Sequence, residues 1–572
     1  MTNGAFDYDV IVVGSGFGGS VAAMRAQEKG YRTLVLEAGK RWTDDQLPKS
    51  SWDLPKFVWQ PEMQLFGLQR IRYLDDVIVL SGAALGGGSY VYANTLYTPP
   101  QKFFDAPTWS YITDWADELA PYYDQANRMF GVQVSPYADT DGDRLVRSVA
   151  ADMGRPYVRA PLGIYFGSPG VEVDDPYFGG VGPRRTGCVS TADCMIGCPY
   201  GAKNKLTVNY LYLAEHRGAE IKELNEVHEI VALPDGGYEV HARHPGLIGR
   251  VERHHRYTAE QVVVAAHAYG TAQILFRMRH DGKLPNLSDQ LGKRARTNSE
   301  ALISVQRSEH DFKNDPERFH FVPGTSSVTA AIKADEESTM GPVYYGAGSN
   351  AMSLAYTAQT KSEHEFRGWL AEFVKHPLHT LSVDDARNWS ERGFNMLCMR
   401  DHDDWLDLYM TEGILRSKPG SEGAPPTFIG VANDVAERIA EKLGGRPAQT
   451  WFAVGNRAMS SHFVGGMTIG DSADKGVVDP YQRAFGHPGL HIMDGSVIAA
   501  NPGVNPSHTI VALAERAMSF WPNKGEEDHR PPLGSGYDRV SAVMPHDPIV
   551  PAGAPAEYRI EPTTLEAVTI VG

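Results

Sequence analysis

The chain has 572 residues, with 54 Lys and Arg against 70 Asp and Glu, a formal net charge of −16. An apolar fraction of 42% excludes wholesale disorder. The acidic balance argues against nucleic acid or anionic membrane as the main partner, because binding phosphates takes clustered Lys and Arg. Four cysteines cannot supply a disulfide framework for this length, and 58 glycines exceed the usual share of about 7%.

The N-terminal MTNGAFDYDVIVVG has no basic segment, no long apolar region and no small-residue cleavage site. No run of 18 uncharged apolar residues follows anywhere, so the expectation is a cytoplasmic protein without a membrane helix. Residues 8–13 (YDVIVV) predict a buried parallel strand. Gly14-Ser-Gly16-Phe17-Gly18-Gly19 follows, then a helical run closed by Gly30, and a second strand at 33–36 ending at Glu37. This is a complete βαβ unit with an acid about 20 residues past the glycines. Gly14 permits the tight turn, Gly16 admits a pyrophosphate, Gly19 allows close helix–strand packing, and Glu37 accepts from a ribose hydroxyl. A dinucleotide is expected at residues 14–37; the motif alone does not choose FAD over NAD.

A second glycine cluster, GAALGGGSYVYAN over 82–94, comes after the strand-like VIVL. Cys188, Cys194 and Cys198 have a C-x5-C-x3-C spacing, one ligand short of a closed metal site, so no metal is expected. The basic run 241–256 (HARHPGLIGRVERHHR) predicts a hairpin with a solvated face, and QVVVAAHAYGTAQIL from Gln261 a strand. Glu300 follows a turn and precedes an apolar strand. A surface or cap-like role is the plainer reading, with a buried acid as the alternative. In EHEFRGWLAEFVKHPLHTL, Trp369, Leu370, Phe373 and Val374 form one apolar stripe of an amphipathic helix, expected to face the core.

Toward the C-terminus, His462 precedes Gly465-Gly466, and HIMDGSVIAANPGVNPSHTIVALAERA follows. Ile510, Val511, Leu513, Ala514 and Met518 fall at helical spacing, which predicts a helix with Asn505 as N-cap and Pro506 at N1. From Trp521 onward, Pro, Gly and charge without periodicity until the last residues predict an extended arm, lying on the body or partly mobile.

These segments in this order resemble the glucose–methanol–choline (GMC) flavin oxidoreductases, and within them most closely the bacterial cholesterol oxidases. The resemblance covers 8–100 and 200–300 in outline and 455–522 strongly. It implies an α/β fold: a Rossmann-like FAD domain from 1–100, 200–300 and 455–522, and a substrate domain from 101–199 and 301–454. The latter would be built on a large, mostly antiparallel sheet, with 523–572 as the C-terminal arm. For FAD it implies contacts from Gly14, Gly16, Phe17, Gly18, Gly19 and Glu37, then from Gly82, Gly86, Gly87, Gly88, Ser89 and Asn94. Val227 would meet adenine, and Asp494, Gly495, Asn505 and Pro506 the ribityl and flavin region. His267 stands where relatives have the glycine of an Ala-Ala-Gly step, which puts close backbone approach there in question.

The resemblance makes His462 and Asn505 the catalytic pair, His taking a hydroxyl proton and Asn orienting the oxygen. His508, one turn into the helix, is a further candidate facing the flavin. The implied substrate is a 3β-hydroxy-Δ5-sterol, oxidised with dioxygen or another acceptor, with or without Δ5 to Δ4 isomerisation. The relatives' isomerisation glutamate has no counterpart in the comparable strand, GSNAMSLAYT, around Asn350, Met352 and Ser353. Glu300 is the nearest other acid. Two alternatives stay open: a non-redox 3-ketosteroid isomerase, and a flavin-binding structural or sensory protein, against which the presence of both His462 and Asn505 argues. Tyr90, Tyr92, Tyr344 and Tyr345 are candidates for lining an apolar cavity under a lid. A water-insoluble sterol implies transient membrane contact.

Overall fold

The computed structural model describes residues 6–569 except 138, 247–253, 316–318, 320, 363 and 384. Tyr8–Val13 pairs in parallel with Thr33–Leu36 on one side and His254–Val264 on the other. Ile11 and Val13 pack into one core cluster while Val10 and Val12 pack into another, because successive strand residues point to opposite faces. Both faces are covered, as a parallel strand in a helix-flanked sheet requires. Glu220–Lys222 extends this sheet beyond Thr33–Leu36, and Leu490–Ile492 joins the end of His254–Val264. The basic hairpin is seen as Tyr238–Arg243 against His254–Val264; its turn at 247–253 lies outside the described residues.

A second seven-stranded sheet runs Tyr356–Ala358, Arg446–Thr450, Ala301–Gln306, Gly393–Arg400, Ser338–Pro342, Ala330–Lys333, Tyr157–Arg159, every pair antiparallel. The architecture is therefore α/β with a large antiparallel second layer, as expected. Two smaller sheets join the halves. One contains Val77–Gly82 beside Ala458–Ser460, the other Ala295–Arg296 beside Val464–Gly465. The chain passes from one to the other through Ser461, His462 and Phe463.

Helix Phe17–Glu28 packs on helix Ser507–Ser519, where buried Arg25 forks onto Glu515 at 2.7 and 2.8 Å and reaches Glu28 at 2.6 Å. Such a buried network is weak evidence for net stability, but it orients the two helices that flank the glycine loop. Beyond Trp521 the described residues hold no strand, only the short helix Leu565–Val568, and are anchored by buried Val550, Ala556 and Tyr558. Among the described residues no helix is long and apolar enough to cross a membrane.

Several sequence expectations are corrected. The strand from Gln261 ends at Val264, and helix His267–His280 begins three residues on. The segment 347–355 is a pair of 3-10 turns; only Tyr356–Ala358 is strand. The four tyrosines do not share one cavity. Tyr344 packs with Phe321 and Phe394, Tyr345 with Trp389, and Tyr90 joins the small cluster around Trp42, since neighbours in an extended chain face opposite ways.

Candidate functional site

Two glycine loops meet at the end of the parallel sheet. Gly14 has φ +96°, and a Cβ there would sit 2.3 Å from the Ala265 carbonyl oxygen. A Cβ on Gly18 would collide with the Met493 carbonyl at 1.6 Å, and one on Gly19 with that of Gly14 at 2.1 Å. Gly18 and Gly19 thus serve close packing, whereas nothing lies within 4 Å of a Cβ on Gly16, which leaves its backbone open. The second loop presses on the first: a Cβ on Gly87 would lie 3.0 Å from Gly16 Cα.

Ser15, which the sequence reading missed, locks the two loops. Its hydroxyl accepts from Gly86 N at 2.9 Å and donates to Glu37 at 2.7 Å. Glu37 also accepts from Ser15 N and Gly39 N, so the acid is held in place by backbone. Ser89 Oγ donates to Gly86 O at 2.7 Å, and a Cβ on Gly82 would strike Gly87 O. Phe17 lies edge-on to Tyr92, 5.4 Å away.

Asn94 is fully buried at φ +67°, and neither atom of its amide has a hydrogen-bond partner. An unpaired buried amide is costly unless a bound group satisfies it, so this position fits a polar ligand. Arg70 is a second such group, also missed by the sequence reading. Its Nε and Nη2 are buried without partners, Glu37 and His267 lie within its field, and burial pushes its guanidinium down to about 10. No local motif marks it, because it reaches the site from a different sheet.

His267 adopts φ +69°, so it takes the left-handed conformation that glycine usually supplies, and burial lowers its ring to about 4. Buried Asp494 accepts from Thr271 Oγ1 at 2.6 Å and from Ser496 N at 2.8 Å; desolvation raises its carboxyl. Gly495 follows, where a Cβ would crowd Ile510 and Val464 at 3.2 Å. Val227 is buried at a bulge in Glu226–Ala232. This cradle of open glycine backbone, unpaired amide and buried cation fits a dinucleotide.

His462 and Asn505 come together from positions 43 apart: Asn505 Nδ2 is 3.1 Å from His462 Nε2. The helix expected to be capped by Asn505 instead starts at Ser507 with Pro506 at its cap position, and no side chain caps it. Asn505 lies one residue outside, with its amide turned to the histidine. Pro506 is buried at that entry.

Glu300 is 3% exposed, not a surface acid. Its Oε2 lies 2.5 Å from His462 Nδ1, and Oε1 accepts from Ser461 N and from Ser461 Oγ. Asn298 and Ser299, both at positive φ, form the turn that delivers Glu300 inward. Asn298 adds a contact to His462 Nδ1 at 3.4 Å, donates to Val504 O and accepts from Gly503 N. With Nδ1 facing a carboxylate, Nε2 is left as the basic nitrogen on the Asn505 side. His508 is fully buried; its Nε2 meets Tyr123 O at 3.3 Å, and burial lowers it to about 4.

Cys188, Cys194 and Cys198 are buried and unbridged, and among the described residues no group of three or more His, Cys, Asp or Glu is placed to hold a metal ion. Their loop instead braces the glycine loop: buried Lys203 Nζ donates to Tyr90 O, Tyr92 O and Cys194 O at 2.7–2.9 Å.

Helix Glu365–Lys375 also departs from expectation. Trp369 and Phe373 stack together and Trp369 packs against Trp451, but Phe366, Leu370 and Val374 form a separate exposed stripe, 60%, 46% and 72% accessible. The expected single stripe is divided between two faces.

Comparison with known proteins gives the family. A family model described as GMC oxidoreductase matches residues 427–514, and one described as FAD binding domain matches residues 9–43. The chain is 44% identical to a cholesterol oxidase of Mycobacterium tuberculosis (strain ATCC 25618 / H37Rv), covering 97% of this chain and 98% of the relative. It is 35% identical to a cholesterol oxidase of Acinetobacter baumannii, covering 92% and 96%. Among solved structures, pyridoxine 4-oxidase from Mesorbium loti superposes with a TM-score of 0.56 at 16% identity, over 89% of this chain and 98% of that one.

Proposed function

The chain belongs to the GMC oxidoreductase family, whose members use FAD, and on that premise we propose that it oxidises a 3β-hydroxy-Δ5-sterol to the 3-ketone. The observation that carries the reading is the Glu300–His462–Asn505 array. The sterol class is supported by the cholesterol oxidases it resembles over nearly its whole length. The residues 1–100, 200–300 and 455–522 form the cofactor domain in this reading, and 101–199 with 301–454 the substrate domain.

FAD would be held by the backbone of Gly14 to Gly19 and Gly86 to Gly88, with Phe17, Glu37, Gly82, Ser89, Asn94, Val227, Asp494, Gly495 and Pro506 as the further contacts, and would supply the hydride acceptor. In this reading the substrate hydroxyl replaces the direct 3.1 Å contact between His462 Nε2 and Asn505 Nδ2 and bonds to both. His462 removes its proton, and the Asn505 amide donates to the oxygen as charge builds there. Glu300 is a positioning residue: it holds Nδ1 protonated and stabilises the imidazolium that forms. Dioxygen or another acceptor then closes the cycle.

The exposed stripe supports contact with a membrane. Phe366, Leu370 and Val374 form an exposed apolar ridge with exposed Arg367 beside it. It is positioned to dock the enzyme on an anionic bilayer that holds the sterol.

A second reading, 3-keto-Δ5-steroid isomerisation, is favoured by one observation. Glu300 is the carboxylate that touches His462, and that pair is a base that works without redox turnover. Purified enzyme given a 3β-hydroxy-Δ5-steroid and a 3-keto-Δ5-steroid separates the two. Loss of flavin absorbance with the first supports oxidation. Enone absorbance from the second, with the flavin still oxidised throughout and no reaction with the first, supports isomerisation alone.

A further inference from the structure

Thr297, Asn298, Ser299 and Glu300 lie between the two arms that carry His462 and Asn505, and all are buried. On one side Ser460 Oγ donates to Thr297 O at 3.0 Å and accepts from His462 N at 3.1 Å, while Glu300 meets the His462 ring. On the other side Asn298 takes the backbone that leads to Asn505. Its Nδ2 donates to Val504 O at 3.0 Å and its Oδ1 accepts from Gly503 N at 2.9 Å. Asn298 N donates to Asn501 Oδ1 at 3.0 Å, and Asn298 O accepts from Arg400 N at 3.0 Å. The amide also lies 3.4 Å from His462 Nδ1, a packing contact, since that nitrogen gives its one proton to Glu300. Asp404 anchors the turn from behind: its carboxylate accepts from Ser299 Oγ at 2.7 Å and its carbonyl from Asn501 Nδ2 at 3.2 Å. Asn298 and Ser299 stand at φ +60° and +42°, which residues with a side chain avoid, so the surrounding bonds impose the turn.

We infer that Asn298 is a positioning residue that sets the spacing between His462 and Asn505. This rests on the reading of those two as the catalytic pair. Asn298 is bonded to the backbone of one arm and packed on the ring carried by the other, so it fixes how far the Asn505 amide stands from Nε2, 3.1 Å here. Glu300 orients the ring; Asn298 sets the distance across which a hydroxyl is shared. The residue type follows from chemistry. A primary amide offers a donor and an acceptor side by side, which matches Val504 O and Gly503 N. A carboxylate of the same shape would satisfy Gly503 N but set an oxygen against Val504 O. Two groups that share one substrate oxygen act best when their geometry is fixed before the substrate arrives.

The test uses the full-length FAD-loaded protein. Asn298→Gly accepts the positive φ and removes the amide, and Asn298→Asp keeps the shape and loses the donor. Without substrate, the nitrogen-15 coupling across the Asn505 Nδ2–H to His462 Nε2 hydrogen bond reads the spacing directly. It is expected in the parent and lost in both variants, with the ratio of flavin to protein unchanged. With a 3β-hydroxy-Δ5-steroid at saturation, flavin reduction slows about 10²-fold in each, the usual cost of a misplaced reacting pair, and KM stays within about twofold. A merely structural role lowers Tm and yield but leaves the coupling and the rate per remaining holoenzyme at parental values; that result overturns the inference. Where Asn298→Asp does not fold, Asn298→Gly decides by the same two readouts. Coupling lost in the variants, with no steroid reducing the parent's flavin, overturns the sterol reading and leaves the positioning role standing.

Discussion

Glu300 Oε2 stands 2.5 Å from His462 Nδ1, although the two residues are 162 positions apart. The contact makes a histidine between the strands Ala458–Ser460 and Val464–Gly465 part of an ordered array. Removing the histidine tests the array's centre. His462→Asn is expected to slow flavin reduction by a 3β-hydroxy-Δ5-steroid 10²–10⁴-fold, the usual worth of a positioned general base. Stopped-flow absorbance checks the rate and the flavin-to-protein ratio checks that FAD is retained. Undiminished reduction would remove His462 from the mechanism.

Glu300→Gln keeps the volume and a hydrogen bond but loses the charge. The expected result is a fall in kcat of about 10–100-fold with KM within twofold, since the residue acts through His462 and not on the substrate. A purely structural role predicts a loss of folded enzyme instead. Nitrogen-15 shifts of His462 discriminate: the Nδ1–H tautomer dominates in the parent and becomes mixed in Glu300→Gln.

Asn94 gives a test of cofactor fit that needs no turnover. Asn94→Gly keeps the positive φ and removes an amide that has no protein partner. The apoprotein is expected to lose no more than about 1 kcal/mol, from added freedom of the unfolded chain. FAD affinity falls tenfold or more, so the gap in Tm between holo and apo forms narrows. Equal FAD affinity in the two proteins would place Asn94 outside the cofactor site.

The exposed stripe is tested by Phe366→Ser with Val374→Ser. Fully burying one such side chain contributes about 1.5–3 kcal/mol, so even partial insertion predicts at least tenfold weaker binding to phosphatidylglycerol vesicles. Sedimentation with vesicles measures it, and raising salt weakens the parent's binding through Arg367. Equal sedimentation of variant and parent would sink the membrane reading.

Stability is expected to fall on acidification because His508 and His267 are held at about 4 by burial. Their folded values lie below the unfolded value near 6.5. The unfolded chain therefore takes up protons that the folded chain refuses as pH drops from 6.5 toward 4, and stability is lost across that window. Glu365 works the other way, with its folded value raised to about 7, so it costs stability as pH rises from about 4.5 to 7. Urea unfolding at pH 7.5 and 5 should show a shallower acid loss in His508→Asn than in the parent, and a steeper one in Glu365→Gln.

The dinucleotide unit was legible because everything it needs is local. Strand, turn, helix and acid fall within 30 residues, and their periodicities survive in the bare sequence. The same holds for the second glycine loop and for the helix at 507–519, whose spacing shows its buried face. Even there, a local rule misled: Asn before Pro reads as a cap, but the Asn505 amide is drawn to His462 instead.

What the sequence determined by itself was the fold class and the two glycine loops, because the positive φ of Gly14, Gly86 and Gly87 favours glycine. Only the tertiary structure decided that Glu300 turns inward onto His462, that the Asn94 amide and two guanidinium nitrogens of Arg70 are buried without hydrogen-bond partners, and that the helix at 365–375 shows a second apolar face. Each of these depends on which distant strand lies alongside. Burial and partner choice are properties of that packing, with no periodic signature along the chain.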